Sequence, residues 1–309
     1  MRVVVGIATV NRRNQLTSTL RQLERLSPQP ERVIIAVADR ADVDETATQQ
    51  LKLNVQVVLA PRGLCAQRNE VLRQAMDSDL IVFFDDDYYP SPDYLQHAKA
   101  LFEHYPDVAG ATGHPRLDGA KGPTIPDDLA RWESGRMPRA ASADYGLQPT
   151  YGVYGCNMVM RSALLKKHRL LFDERLPLYG WLEDLELSRR LARHGRIVAS
   201  PYLQGVHLGT RVGRLPGHRL GYSQVVNPIY MVRKGSMHPQ VALRFISRCV
   251  AKNAVRSLWP ERDVDRRGRM LGNAIATWHL IRGRIDPSHI LKISANPLNW
   301  RDLLDAARV

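Results

Sequence analysis

The apolar positions of this chain keep two rhythms, and the change from one to the other marks its elements. Largely apolar runs at Val3–Thr9, 33–38, Val55–Leu59, 79–84 and Val108–Thr112 predict strands, and the five consecutive apolar residues 80–84 predict one covered on both faces, as in a parallel sheet. Between them the spacing turns helical. Leu16, Leu20 and Leu23 share one face of a helix over 14–26, and further helices are predicted over 43–51, 64–76 and 92–105. Strands alternating with helical crossovers imply an α/β fold with a doubly wound sheet.

After Thr112 the rhythm breaks. Residues 114–150 are rich in Pro, Gly, Asp and Arg with little periodicity, and predict a long excursion over the sheet edge. Asn157–Arg161 predicts a strand and Ser162 the cap of a short basic helix to His168. A helix is predicted from Glu183 to His194, ended by Gly195 as a C-cap. Residues 197–200 predict a short strand, and 207–221, with Arg211, Arg214, His218 and Arg219 among glycines, a flexible basic loop. Two amphipathic basic helices are predicted over 241–258 and 266–284; such helices lie on a membrane surface or pack against the main domain.

The run LIVFFDDDYY at 80–89 organises the rest. Its apolar half is a buried strand, so Asp85, Asp86 and Asp87 fall just past the carboxyl end, where open α/β sheets place their ligands. Three adjacent carboxylates repel one another unless a cation sits among them, and their hard oxygens suit Mg²⁺ or Mn²⁺. The alternative is an N-cap cluster for the helix that begins near Ser91-Pro92, for which one aspartate would suffice.

Charge adds an asymmetry. The chain of 309 residues carries +13, but residues 1–113 carry −3, residues 114–239 carry +9 and residues 240–309 carry +7. All the basic excess follows the aspartates, which points to an anionic partner: nucleic acid, an anionic membrane surface or a pyrophosphate-bearing substrate. Three cysteines in no metal-binding spacing predict reduced thiols in a cytoplasmic protein. No small-residue cleavage site follows the first apolar run, so no signal peptide is expected, and no apolar stretch approaches the roughly 18 to 20 residues of a membrane span. Any membrane contact is therefore expected to be peripheral, at the inner face.

Six features now fall in order: Ile7-Ala8-Thr9-Val10-Asn11-Arg12, Gly63 through Arg68-Asn69, Asp85-Asp86-Asp87, Gly155-Cys156-Asn157, Glu183-Asp184, and His207. Together they resemble the family 2 glycosyltransferases over about residues 3–210. The resemblance implies a GT-A fold, a Rossmann-like, mostly parallel sheet flanked by helices, here with a helical C-terminal extension. It divides the chain into a glycosyltransferase domain over 1–239, with a nucleotide-binding half over 1–113 and an acceptor half over 114–239, and a basic extension over 240–309. It implies a nucleotide-sugar donor, a divalent metal, and transfer with inversion at the anomeric carbon.

The resemblance also assigns roles. Thr9, Asn11 and Arg12 line the nucleotide; Asp39 pairs with the base edge, although a carboxylate there equally caps the following turn. Arg68 lies near the base or ribose, or else sits on the surface of an amphipathic helix. Asp86 takes a ribose or metal role, Asp87 the direct metal contact, and Asp85 supports them. His207 is a further metal ligand or a diphosphate contact, with the nearby arginines neutralising the leaving diphosphate. Asp184 is the base that takes the acceptor hydroxyl's proton; the other reading is that Glu183, Asp184 and Glu186 merely complement a helix dipole.

The sequence departs from the family at Ala38-Asp39-Arg40, where two acids followed by Gly-Ser are common, which leaves the base preference open. The Gln-x-x-Arg-Trp motif of processive members is absent, since the only Arg-Trp, Arg131-Trp132, precedes Asp184; single-sugar transfer to a saccharide or lipid-linked acceptor is expected. Other classes fit less well. A phosphatase would carry its acid pair after the first strand, and a nucleotidyltransferase a Gly-rich loop there, where this chain has Thr9-Val10-Asn11-Arg12. A nucleic-acid binder would account for the charge but not for three aspartates beside a buried strand, and the basic segments lack interleaved aromatics, so no nucleic acid is expected as partner.

Overall fold

The computed structural model of the chain describes residues 1–136, 145–212, 215–259, 261 and 264–294. It divides into two compact units, one of Met1–Phe172 with Leu187–Gly213, the other of Asp173–Glu186 with Arg214–Val309. The strands are β1 (Val3–Thr9), β2 (Arg32–Val37), β3 (Val55–Leu59), β4 (Leu80–Phe84), β5 (Tyr88–Pro90), β6 (Val108–Thr112), β7 (Leu117–Asp118), β8 (Gln148–Pro149), β9 (Asn157–Arg161), β10 (Arg196–Ala199) and β11 (Gly205–His207). The helices are α1 (Arg13–Leu23), α2 (Glu45–Gln49), α3 (Leu64–Ala75), α4 (Tyr94–His104), α5 (Asp127–Ser134), α6 (Ser162–Lys167), α7 (Glu183–Leu191), α8 (Gly217–Lys234), α9 (Pro239–Ser257) and α10 (Arg266–Ile281).

In the first unit the main sheet runs β3-β2-β1-β4-β9-β6-β10-β8. The first four strands are parallel, as are β6 and β10, while β9 lies antiparallel to both its neighbours. Because β1 has β2 on one side and β4 on the other, the strand order reverses at β1, and the crevice at the carboxyl ends of β1 and β4 is the ligand position of such sheets. Every residue of β4 is buried, as its unbroken apolar run requires. On one face of the sheet Val5, Ile7, Val33, Ile35, Val82 and Phe84 pack with Leu16, Leu20 and Leu23 of α1 and Leu95, Ala98 and Leu101 of α4.

Several expectations need correction. The excursion after β6 is not featureless: β7 joins β11 and β5 in a second sheet, and α5 follows, because Tyr89, Ala130, Val206 and Leu208 supply a small apolar cluster of their own. Ser162 is the first residue of α6 rather than its cap, and its hydroxyl donates to the Ser78 carbonyl. Gly195 does not cap α7, which ends at Leu191. A Cβ there would stand 2.7 Å from the Asp107 carbonyl oxygen and 2.8 Å from Ala109 Cβ, so close passage past β6 is what requires glycine. The basic segment 207–221 is only partly loop, since α8 begins at Gly217. Of its arginines, Arg214 lies outside the described residues.

The second unit is built on α8, α9 and α10, of which α8 was not foreseen from its pattern. Tyr222, Val225 and Val226 of α8 pack with Ile275 and Ala276 of α10 and with Ile290 and Ile293. A buried polar network ties the three helices: Asn253 of α9 donates to Gln224 of α8 and Asn273 of α10, and Arg266 donates to Asn253. Fully satisfied, such a network fixes which face of α9 is turned inward. The same unit holds a tight ionic cluster. Lys234 Nζ lies 2.5 Å from Asp173 and 2.7 Å from Glu186, and the Tyr230 hydroxyl donates to Asp173 at 2.6 Å.

Burial raises the Asp173 carboxyl, but Lys234 and Tyr230 outweigh it and hold it low. This stabilisation is present above the ordinary carboxylate range and is lost as pH falls through the lowered folded value. Lys234→Met withdraws the cation from two buried acids and should cost on the order of 3 kcal/mol at neutral pH. Urea unfolding at pH 7 and pH 3 checks this. The gap between variant and wild type should narrow at the lower pH.

Candidate active site

The three aspartates do not act alike. The Tyr88 N–H donates to the Asp85 carbonyl at 3.0 Å, closing a tight turn after β4. This turn sends Asp85 and Asp87 toward His207 and Asp86 toward β1. His207 Nε2 lies 3.3 Å from Asp87 and 3.8 Å from Asp85. One ligand atom from each of Asp85, Asp87 and His207 falls within 4.8 Å of the others, a spacing open to one cation. Two carboxylates and an imidazole form an oxygen-rich, borderline donor set, which fits Mn²⁺ or Mg²⁺ better than a soft metal.

Asp118, which the sequence did not single out, stands behind His207. Its Oδ1 lies 3.0 Å from His207 Nδ1, so Nε2 is the nitrogen turned to Asp85 and Asp87. The contact follows from the second sheet, in which His207 and Asp118 are register partners on parallel strands β11 and β7. Lys121 and the Tyr154 hydroxyl, at 2.9 and 3.1 Å, anchor Asp118 in turn. No sequence signal marks this residue, because it lies 89 positions from His207 in a stretch without periodicity.

Asp86 faces the other way, accepting from the Thr9 hydroxyl at 2.6 Å and from Arg12 at 2.7 Å. Arg12 also donates to the carbonyls of Val212 and Thr210, at 2.7 and 3.3 Å, and so clamps the segment after β11 onto the end of β1. Asn11 adopts a left-handed backbone with φ 58°, and its N–H donates to Asp42 at 2.7 Å. Left-handed backbone outside glycine favours Asn, and here it turns the chain sharply out of β1.

Arg68 is not on the surface. It is 2% exposed, lies between Phe83 and Phe172, and donates to Asp85 and to the Gly155 carbonyl, both at 2.9 Å. Arg12 and Arg68 thus bring fixed positive charge to Asp86 and Asp85. Asp39 is exposed and caps the turn that follows β2, accepting from the Ala41 N–H at 2.9 Å. Gly155-Cys156-Asn157 enters through its backbone and amide: the Asp85 N–H donates to the Cys156 carbonyl, and Asn157 donates to the Tyr88 hydroxyl at 2.8 Å.

The electrostatics separate neighbours in sequence. Burial pushes Asp86 up, and Arg12 only partly offsets it. Burial would also raise Asp87, but the hydrogen bond and charge of His207, with Arg12 and the Thr210 N–H, hold it below the usual range. Burial opposes charge on His207, yet Cys156, Asp118 and Asp87 favour it and raise its pKa well above the ordinary value. Burial pushes the Cys156 thiol up to about 12, so it stays protonated at neutral pH.

Glu183 and Asp184 open α7, within the second unit. The backbone before them is strained at two leucines: Leu178 and Leu182 have φ of 60° and 73°, on either side of Gly180, which takes φ 60° without cost. Left-handed leucines are uncommon, and such strain gathers where a side chain must be held in place. Glu183 is buried, Glu186 is paired with Lys234, and Asp184 is the partly exposed acid of the three, with Oδ1 accepting the Leu185 N–H at 2.7 Å.

The family described as Glycosyltransferase like family 2 matches residues 2–211. Among solved structures, residues 1–349 of TarS from S. aureus align with all of this chain and 89% of their own length, at 16% identity and TM-score 0.55. TarS has also been solved with UDP-GlcNAc and with UDP. The mannosyltransferase PcManGT from Pyrobaculum calidifontis, in complex with GDP-Man and Mn²⁺, aligns over 94% of this chain and 85% of its own, at 15% identity and TM-score 0.57. At such identities these likenesses establish the fold, which is GT-A. Among curated proteins, none matches the sequence.

Proposed function

The chain belongs to glycosyltransferase family 2, and on that premise we propose that it moves a single sugar from a UDP-sugar to a saccharide or lipid-linked acceptor, with inversion, in polysaccharide or glycoconjugate assembly. The observation that carries this reading is the convergence of Asp85, Asp87 and His207 at the β1/β4 crevice, with Asp118 orienting the imidazole. A bound Mn²⁺ or Mg²⁺ supplies positive charge for the donor's diphosphate. In this reading Asp87 and His207 hold the metal, and Asp85, which the geometry brings to the same point, completes the set.

The nucleotide runs along Thr9, Asn11, Arg12 and Asp39, over a floor of Arg68, Asp85 and Asp86. The clamp from Arg12 to Thr210 and Val212 and the ion pairs of Arg12 and Arg68 support a preformed cradle, which lowers the ordering cost of binding. Asp184 takes the proton of the acceptor hydroxyl as its oxygen attacks the anomeric carbon. The left-handed backbone of Leu178 and Leu182 and the partial exposure of Asp184, beside the buried Glu183 and Glu186, support Asp184 as the base.

A thermal-shift panel of nucleoside diphosphates, with Mn²⁺ or with EDTA, tests the donor site. At a hundred times Kd, binding to the folded state adds about 2.7 kcal/mol of stability. UDP with Mn²⁺ should raise the melting temperature most. An equal shift in EDTA would remove the metal from the reading.

A further inference from the structure

The structure turns one face of α9 inward and leaves a chemically distinctive face outside. Ala242 and Asn253 are buried, and Ile246 and Val250 pack on the core of the second unit. Outside, Arg244, Arg248, Lys252 and Arg256 recur every four residues and form a continuous cationic stripe. Beside it runs a second row at the same spacing: Leu243, Ser247, Ala251, Val255 and Trp259. Leu243, Leu258 and Trp259 are 67%, 69% and 68% exposed. No acid occurs between Pro239 and Trp259, and Arg244, Arg248 and Lys252 form no ion pair among the described residues.

We propose that this outward face of α9 docks the protein on an anionic lipid surface. The helix is 19 residues long, about 28 Å at 1.5 Å per residue, so its cations can meet several headgroups in one plane. Lysine and arginine stems lie along the interface with their heads in the phosphate layer, and Leu243, Val255, Leu258 and Trp259 supply the apolar edge that enters it. Nucleic acid would use the cationic stripe but gains nothing from exposed leucine and valine. No helix among the described residues is long and apolar enough to cross a membrane, so attachment through this face is interfacial. The docking goes beyond the transferase reading and would bring the chain to an acceptor carried on lipid.

Co-sedimentation with vesicles tests it, using phosphatidylcholine alone and phosphatidylcholine with 30 mol% phosphatidylglycerol, at low and at roughly 0.5 M salt. The full chain should bind the anionic vesicles at low salt, lose them at high salt, and leave the neutral ones unbound. Each basic side chain at such a surface contributes roughly fivefold in partitioning, so Arg244→Gln/Arg248→Gln/Lys252→Gln should weaken binding by about a hundredfold. Leu258→Ser/Trp259→Ser should also weaken it, which a purely electrostatic partner would not show. These positions are exposed, and an unchanged circular dichroism spectrum establishes that each variant is folded. No binding to anionic vesicles, equal binding to neutral ones, or full binding by the triple variant would overturn the proposal. So would an oligonucleotide that binds as tightly while the Leu258/Trp259 variant keeps its affinity for both. UDP-dependent thermal stabilisation is read on the same samples. Its retention without vesicle binding removes the docking alone, and its loss with vesicle binding removes the donor site alone.

Discussion

Asp184→Asn should lower the rate of sugar transfer by roughly 10² to 10⁴ while leaving UDP affinity near that of the wild type, the usual effect of losing a positioned base. The amide keeps the volume of the carboxylate, and its oxygen can still accept the Leu185 N–H that Asp184 Oδ1 accepts at 2.7 Å. What it lacks is the negative charge and basicity that let a carboxylate take a proton. Calorimetry with UDP and Mn²⁺ and product release from a UDP-sugar separate binding from turnover. If Asp184→Asn loses nucleotide binding as well, Asp184 belongs to the donor site. The buried Glu183 would then be examined as the base by the same pair of measurements.

Asp87→Asn should remove the metal-dependent part of UDP binding, with metal affinity falling by more than about a hundredfold, since even residues behind a ligand are worth 10 to 100-fold. Asn is the informative choice because Asp87 also accepts the Thr210 N–H at 2.6 Å, and an amide oxygen can keep that bond and the segment it holds. Asp118→Asn provides a graded control. It leaves both carboxylates in place but weakens the group that orients His207, so metal affinity should fall by roughly 10 to 100-fold. Mn²⁺ titration followed by electron paramagnetic resonance measures all three proteins. Equal Mn²⁺ affinity in Asp87→Asn and wild type would place the metal elsewhere.

The distance between reading and structure is best seen in the charged residues. The position of the aspartates was legible, because an apolar strand ending in three acids has few alternatives. Their division of labour was not, since a single turn decides that Asp85 and Asp87 face His207 while Asp86 faces Thr9 and Arg12. Arg68 could be read equally as a surface residue from helical spacing alone; the carboxylate of Asp85 and the flanking rings of Phe83 and Phe172 are what let a guanidinium be buried. The ending of α7 was misplaced at Gly195 because a glycine that permits close backbone approach looks, in one dimension, like a glycine that caps a helix.

By itself the sequence determined most strands and helices of the first half of the chain, with β9 just beyond it: β1, β3, β6 and β9 have the bounds predicted for them, and the order of motifs led to the family. These are local properties, since burial on both faces of a strand or one face of a helix is written into successive residues. Only the tertiary structure decided that Asp118 orients His207, that Arg12 and Arg68 serve the aspartates, and that α8 joins α9 and α10 with the basic row of α9 turned outward. Each of these depends on strand register or helix packing between residues far apart in the chain. Charge and hydrogen bonding choose partners by distance in space, which periodicity along the chain does not encode.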